Sequence, residues 1–281
     1  MDKTTLGDRM KNNYENISRY YLTRRMPVII RIDGKSFHTF TKGFKKPFDD
    51  IFVKTMQDTM KYLCENIQGC VLGYTQSDEI SLVLTDYAEL TTDAWFGNNL
   101  QKMCSVSASM ATLAFNKAFN DNIVKYIDNH LDADCGVTKD LTEYTKTLIN
   151  ARNKGAMFDS RVFTIPKEEV CNALIWRQQD ATRNSIQSVG QANFSQKELH
   201  GKSCNNIQDM LMLQKGINWN DYSTTLKRGS CCIKVDDGLT KYDEAGNISD
   251  YIQRNKWIID NEIPIFSQDR SYIDKLINIG G

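Results

Sequence analysis

The sequence predicts an α/β (α+β) fold: an antiparallel sheet flanked by helices, with additional helical segments. Three observations carry that expectation. Pro27-Val28-Ile29-Ile30-Arg31-Ile32-Asp33 is a short β-branched run closed by the turn signal Asp33-Gly34. From Asp49 to Ile67 the apolar residues Phe52, Met56, Met60, Leu63 and Ile67 recur at spacings of three and four, the period of an amphipathic helix. Two more strand-like runs, Cys70 to Thr75 and Ile80 to Thr85, are separated by the polar link Gln76-Ser77-Asp78-Glu79, short enough for a hairpin.

The order is therefore strand, helix, strand, turn, strand. Leu100 to Phe119 continues as a helix whose small residues Ser105, Ser107, Ala108, Ser109, Ala111 and Ala114 permit close packing. Asp121 to Gly155 is polar and reads as irregular, a variable insertion or lobe connection. Phe158 to Pro166 reads as a strand entering a long helix, Lys167 to Asn193. That helix carries a polar stripe of Arg177, Asp180, Asn184, Gln187 and Gln191. A solvated face is the plain reading of the stripe, and an RNA-contacting face the sharper one. Beyond Asp236 turn signals dominate, with one strand candidate at Lys256 to Asp260.

The bulk composition bounds the class. A chain of 281 residues, 41% hydrophobic and 25% charged, buries a sizeable core. Lys+Arg and Asp+Glu both total 35, so the formal net charge is zero. A protein that merely coats nucleic acid carries a positive excess, whereas an enzyme with a local basic patch and an acidic metal site can be neutral. The cysteines lack zinc spacing, with Cys64 and Cys70 too far apart for a CxxC pair and Cys231 and Cys232 adjacent. They read as reduced thiols of a cytoplasmic protein. Met1 to Tyr14 is polar and lacks a signal-peptide pattern, and no apolar run is long enough to cross a bilayer.

Two acids occupy comparable places: Asp33 ends the first strand and Asp78 lies in the turn joining the next two. If those strands are neighbours, both carboxylates emerge at one edge. Close carboxylates repel unless a cation lies between them, and Mg²⁺ takes a few carboxylates plus waters and phosphate oxygens. Two ordinary turn aspartates are the competing reading. After Asp33, Gly34 permits close backbone approach to a phosphate and offers a carbonyl to a metal. Lys46-Pro47 precedes a helix, where a lysine neutralises a triphosphate or simply faces solvent. The Walker A pattern is absent.

At this point a resemblance becomes specific. Arg31-Ile32-Asp33-Gly34-Lys35-Ser36-Phe37-His38, Lys46-Pro47 and Gly73-Tyr74-Thr75-Gln76-Ser77-Asp78-Glu79-Ile80-Ser81 resemble signatures of the tRNA(His) guanylyltransferase family. Phe158-Asp159-Ser160-Arg161-Val162, Trp176-Arg177-Gln178-Gln179-Asp180, Gly216-Ile217-Asn218-Trp219-Asn220 and Arg228-Gly229-Ser230-Cys231 follow in order. The matches run from about Tyr14 to Cys232.

The resemblance implies a core like the palm of ordinary polymerases, working in the reverse, 3′-to-5′ direction on RNA. It divides the chain into residues 1–135, a palm-like catalytic region with the nucleotide and metal site, and 136–281, its continuation with RNA-handling helices and C-terminal strands. Asp33, the Gly34 carbonyl and Asp78 match the family's ligands for two Mg²⁺ ions, and Glu79 an acid required for activity. Gly34, Lys35, Ser36, Phe37, His38, Lys46 and Ser77 match positions around the nucleoside triphosphate. The substrates implied are GTP, ATP and tRNA, and the assembly a homotetramer with tRNA crossing between subunits. Arg177, Asn184, Lys227 and Arg228 are candidate RNA contacts.

Two segments depart from the family's eukaryotic pattern. Ala181-Thr182-Arg183-Asn184-Ser185 stands where Cys-His-Ile-Asn-Asn is usual, and Ile207-Gln208-Asp209 where a Lys-Asn-Glu run is usual. The resemblance is therefore to the bacterial and archaeal guanylyltransferase-like branch, which favours template-dependent repair of 5′-truncated tRNA over addition of the extra G to tRNA(His). A cyclase-like signalling enzyme on the same scaffold and a non-catalytic RNA-binding module are the alternatives of other classes.

Overall fold

The computed structural model describes residues 5–131, 139–242, 248–252 and 254–277, the side chains of 131, 139–141, 239–242 and 248–252 excepted. In chain order the elements are α1 (Leu6–Met10), β1 (Val28–Gly34), α2 (Phe37–Phe40), α3 (Asp50–Asn66), β2 (Cys70–Gln76), β3 (Glu79–Leu84), α4 (Leu100–Leu131) and α5 (Lys139–Lys154). There follow β4 (Phe158–Thr164), α6 (Val170–Asn193), α7 (Gln196–Leu199), α8 (Cys204–Lys215) and α9 (Thr224–Arg228). β5 (Ser230–Asp236), β6 (Leu239–Tyr242), β7 (Ile248–Ile252), β8 (Asn255–Asp260) and α10 (Ser271–Ile277) complete the chain.

Six strands form one sheet in the order β4-β1-β3-β2-β5-β8, and every neighbouring pair is antiparallel. Alternation along β1 divides the core between the sheet's two faces. Val28, Ile30 and Ile32 join Met56, Met60 and Leu63 of α3 and Phe115 and Phe119 of α4. Ile29 instead joins Leu72, Tyr74 and Val83, covered by Val170, Cys171 and Leu174 of α6 and Ile273 and Ile277 of α10. The second half of α6 packs on α8 through Ile186, Val189, Ile207 and Leu211.

The loop after β1 is held by rings. Phe37 lies with its centroid 5.1 Å from both Phe40 and Phe158 and 5.5 Å from Phe115. Phe44 stacks on Phe119 at 5.9 Å. Asp49 caps α3 by accepting from the Phe52 N–H, and it also accepts from the Lys45 N–H and the Tyr144 hydroxyl, at 3.0, 3.0 and 2.6 Å. One buried carboxylate thereby fixes the start of a helix and the segment that presents Lys46.

Two expectations need correction. Asp121 to Gly155 is not irregular: α4 continues through Leu131 and α5 occupies Lys139–Lys154, while 132–138 lie outside the described residues. Ile123 extends the buried stripe of Phe115 and Phe119 by one more turn, and Leu148 and Ala151 supply the buried face of α5. Polar residues dominate the composition between these positions, although Tyr144, Leu148 and Ala151 keep a helical spacing. The polar stripe on α6 is not uniformly solvated either, because Arg177 is buried. β5, a central strand of the sheet, has no counterpart among the strands expected from sequence.

Candidate active site

The site begins with strand register. Asp33 of β1 pairs with Glu79 of β3, and β3 is tied back to β2 by the turn residues Ser77 and Asp78. Ser77 adopts φ 48°, and the Gly34 N–H donates to the Asp78 carbonyl at 3.1 Å. The end of β1 and the β2–β3 turn are thus sewn together at one edge. Gly34 has no substitute there, since a Cβ would lie 2.3 Å from the Phe37 ring.

The electrostatics of this edge are strained. Burial pushes the Asp78 carboxyl up, the Ser77 hydroxyl pulls it down by donating at 3.0 Å, and the Asp33 charge pushes it up again. Burial likewise raises Glu79, although Arg177 and Arg31 oppose it. Glu79 accepts from Arg177 Nε at 2.7 Å, and Arg177 Nη2 also donates to Asp180 at 2.9 Å. Arg161 of β4 approaches Asp33 at 3.7 Å and Asp159 at 3.5 Å.

Next to the edge lies a cavity of about 260 Å³ between the 41–49 segment, the start of α3, the end of β2, α6 and the 225–230 segment. Lys46, Ser77, Asn184 and Arg228 all line it. Its backbone wall at Gly229 is tight: φ is +88° and a Cβ would meet the Thr75 carbonyl oxygen at 2.4 Å.

Other sequence candidates are placed differently. Lys35, Ser36 and His38 are exposed around the short α2, but the Phe37 ring is 4% exposed and belongs to the core. Arg177, read as a candidate RNA contact, is turned inward onto Glu79; its side chain is only 10% exposed. Lys227 donates to the Asn220 carbonyl and lies over the Trp219 ring. Sequence reasoning missed Arg31 and Arg161 as neighbours of Asp33. The period of two along β1 was the available signal, since it puts Arg31 on the same sheet face as Asp33.

Among the described residues no three His, Cys, Asp or Glu side chains form a ready metal cage. Two hard carboxylates at one edge, one of them pushed up partly by the other's charge, still suit Mg²⁺, which completes its shell with waters and substrate phosphates rather than protein groups.

The chain is similar to known proteins over most of its length. The family model described as tRNAHis guanylyltransferase matches residues 7–166. A solved bacterial tRNA(His) guanylyltransferase-like protein in complex with ATP superposes with a TM-score of 0.78 at 43% identity, covering 98% of this chain and 100% of that one. A bacterial guanylyltransferase-like protein in complex with GTP gives a TM-score of 0.73 at 41% identity, with coverage of 98% and 100%. The tRNA(His) guanylyltransferase of Schizosaccharomyces pombe is 28% identical over 80% of this chain and 81% of its own length.

Proposed function

The chain belongs to the tRNA(His) guanylyltransferase family of nucleotidyltransferases, and we propose that it extends the 5′ end of tRNA in the 3′-to-5′ direction, repairing 5′-truncated molecules against their own template strand. The observation that carries this reading is the convergence of Asp33 and Asp78 at one sheet edge beside a cavity lined by Lys46 and Ser77.

A 5′-monophosphate lacks a good leaving group. In the reaction proposed, a 5′-phosphate oxygen attacks the α-phosphorus of ATP, the α–β bond breaks and pyrophosphate leaves. The 3′-hydroxyl of GTP then attacks the RNA's 5′-phosphorus, loses its proton and displaces AMP. A 5′-triphosphate end needs no activation and releases pyrophosphate directly. Asp33, the Gly34 carbonyl and Asp78 would hold two Mg²⁺ ions, which supply Lewis-acid charge neutralisation at the attacking and leaving oxygens. Lys46 neutralises triphosphate charge, the 34–38 backbone and Ser77 orient the nucleotide, and Glu79 stands at the same edge, fixed by Arg177.

Repair is favoured over addition of the extra G by Thr182 and by Ile207-Gln208-Asp209, which replace family residues associated with activation and tRNA selection. The higher identity to the bacterial guanylyltransferase-like proteins points the same way. Asn184 and Arg228 on the cavity wall and Lys227 beside it are the remaining candidate RNA contacts. Assembly of several copies is supported by the N-terminal arm, where Leu6, Met10, Tyr14 and Ile17 are 66%, 42%, 67% and 70% exposed. The family resemblance makes that assembly a homotetramer. No described helix is long and apolar enough to cross a membrane, and free buried thiols such as Cys64 and Cys231 support a cytoplasmic placement.

The test incubates the protein with Mg²⁺, ATP, labelled GTP and either a tRNA lacking its first nucleotide or a full-length tRNA(His), and maps the 5′ ends. Repair predicts preferential extension of the truncated molecule up to the paired length. Preferential addition of one G to full-length tRNA(His) would assign the alternative, and extension of neither would remove the reading.

A further inference from the structure

The reaction proposed joins two phosphate-bearing molecules, and the cavity of about 260 Å³ lies at the ends of β2 and β5. β1 and β4 carry a second arrangement, whose residues are not among those that line the cavity. Arg31 of β1 and Arg161 of β4 are register partners, so their side chains leave the same face of the sheet. Like charges directly opposed on neighbouring strands destabilise a sheet.

Neither guanidinium is fully neutralised. Among the described residues no carboxylate comes within ion-pair distance of Arg31, and its Nε is buried without a hydrogen-bond partner. Ser81, the register partner of Arg31 on β3, has a buried hydroxyl that is also without a partner, and the residue is 2% exposed. Buried polar atoms left unpaired on adjacent strands mark a place where a bound group completes the bonding. Arg161 is half exposed, and its contacts at 3.5 and 3.7 Å are longer than charge-assisted hydrogen bonds of about 2.7–2.9 Å. Such loose, solvated pairs contribute little, so Arg161 can turn to an anion at small cost.

Trp176 completes the feature. The residue is 52% exposed, with Arg31 at 5.7 Å and Arg177 at 4.3 Å from the ring centroid. Arg177 is committed to Glu79 and Asp180, which leaves Arg31 as the guanidinium beside an exposed aromatic residue, a pairing that suits a nucleotide with a terminal phosphate.

We propose that Arg31 and Arg161 form the binding site for the phosphate at the 5′ end of the RNA, with Trp176 beside it for the first base. This rests on the nucleotidyltransferase reading above and adds to it the place of the second substrate. The carboxylates Asp33 and Asp78 then stand between a nucleotide on the β2–β5 side and an RNA terminus on the β1–β4 side.

The test measures equilibrium binding of a 5′-truncated tRNA carrying either a 5′-monophosphate or a 5′-hydroxyl to the full chain. The wild type is expected to prefer the phosphate by about tenfold or more, the range of hydrogen bonds to charged groups. Arg161→Gln and Arg31→Gln each bring that ratio towards one, and Arg161→Lys, which keeps the charge, retains part of it. Circular dichroism identifies any variant that fails to fold, and Arg161, exposed on β4, is the substitution the fold tolerates best. A wild type that does not discriminate the two termini, or a folded Arg161→Gln that discriminates as well as wild type, overturns the proposal. So does an unchanged ratio accompanied by a raised KM for ATP or GTP, which would give the arginines to a nucleotide's phosphates instead. If the phosphate preference is present and lost as expected but the wild type extends no RNA, the phosphate site stands and the nucleotidyltransferase reading fails.

Discussion

Asp78 holds its position at the expense of its charge. Burial favours the neutral carboxyl, the Ser77 hydroxyl favours the anion, and Asp33 adds a like charge. Because the folded state raises this group above its ordinary value of 3.8, the folded protein keeps the proton to higher pH than the unfolded chain does. The resulting stability is present below 3.8 and is lost as pH rises through the folded value, leaving a deficit at neutral pH. Metal-free Asp78→Asn is therefore expected to melt higher than wild type at pH 7, by roughly 2–4 °C for each kcal/mol of penalty removed, and to match it near pH 3. Calorimetry in chelator across that range is the check. The same substitution should lower nucleotide addition by about 10³-fold or more, since several kcal/mol of charge stabilisation go with the ligand.

Arg177 shows the opposite balance. Its pair with Glu79 has both side chains about one-tenth exposed, so Arg177→Ala leaves an uncompensated buried carboxylate and is expected to cost about 3–5 kcal/mol. Denaturant titration measures this, and Glu79→Gln in the same background should recover part of it. The two acids at the strand ends were legible from sequence, because strand termini and turn residues announce themselves locally. Arg177 was misread because helical spacing says nothing about a partner 98 residues away.

At the scale of elements, the strand–helix–hairpin core from Val28 to Leu84 follows the periods written in the chain. The failures have physical causes. α4 beyond Phe119 and α5 bury narrow stripes among many polar residues, so a low mean hydropathy hid a period that Tyr144, Leu148 and Ala151 carry in the sequence at spacings of four and three. β5 begins directly after the tight Gly229 turn with a serine and two cysteines, which carry weaker strand preference than β-branched residues. Phe37 matches a position around the nucleotide, a role proposed for its backbone; its ring locks α2 to α3, α4 and β4. Phe37→Ala is expected to destabilise the fold by about 3–5 kcal/mol through cavity formation. Thermal unfolding with and without GTP separates this from a ligand contact: the loss should be as large without nucleotide as with it.

For the whole molecule, the sheet brings Asp33 and Asp78 together at one edge, with the cavity towards β2 and β5 and the arginine pair towards β1 and β4. The N-terminal arm buries none of its residues from Leu6 to Glu15 against the rest of the chain. Replacing Leu6, Met10 and Tyr14 together by serine should lower the assembly state in sedimentation while leaving the melting of the remaining fold nearly unchanged. Unaltered sedimentation would assign the assembly to another surface.

In the function proposed, Asp33 and Asp78 jointly hold divalent cations against a bound triphosphate. The most direct measurement is an anomalous-scattering map from crystals grown with Mn²⁺ and GTP. Peaks bridging the two carboxylates, with the triphosphate running towards Lys46, are the expected result. Carboxylates pointing apart, with no cation at either, would contradict it.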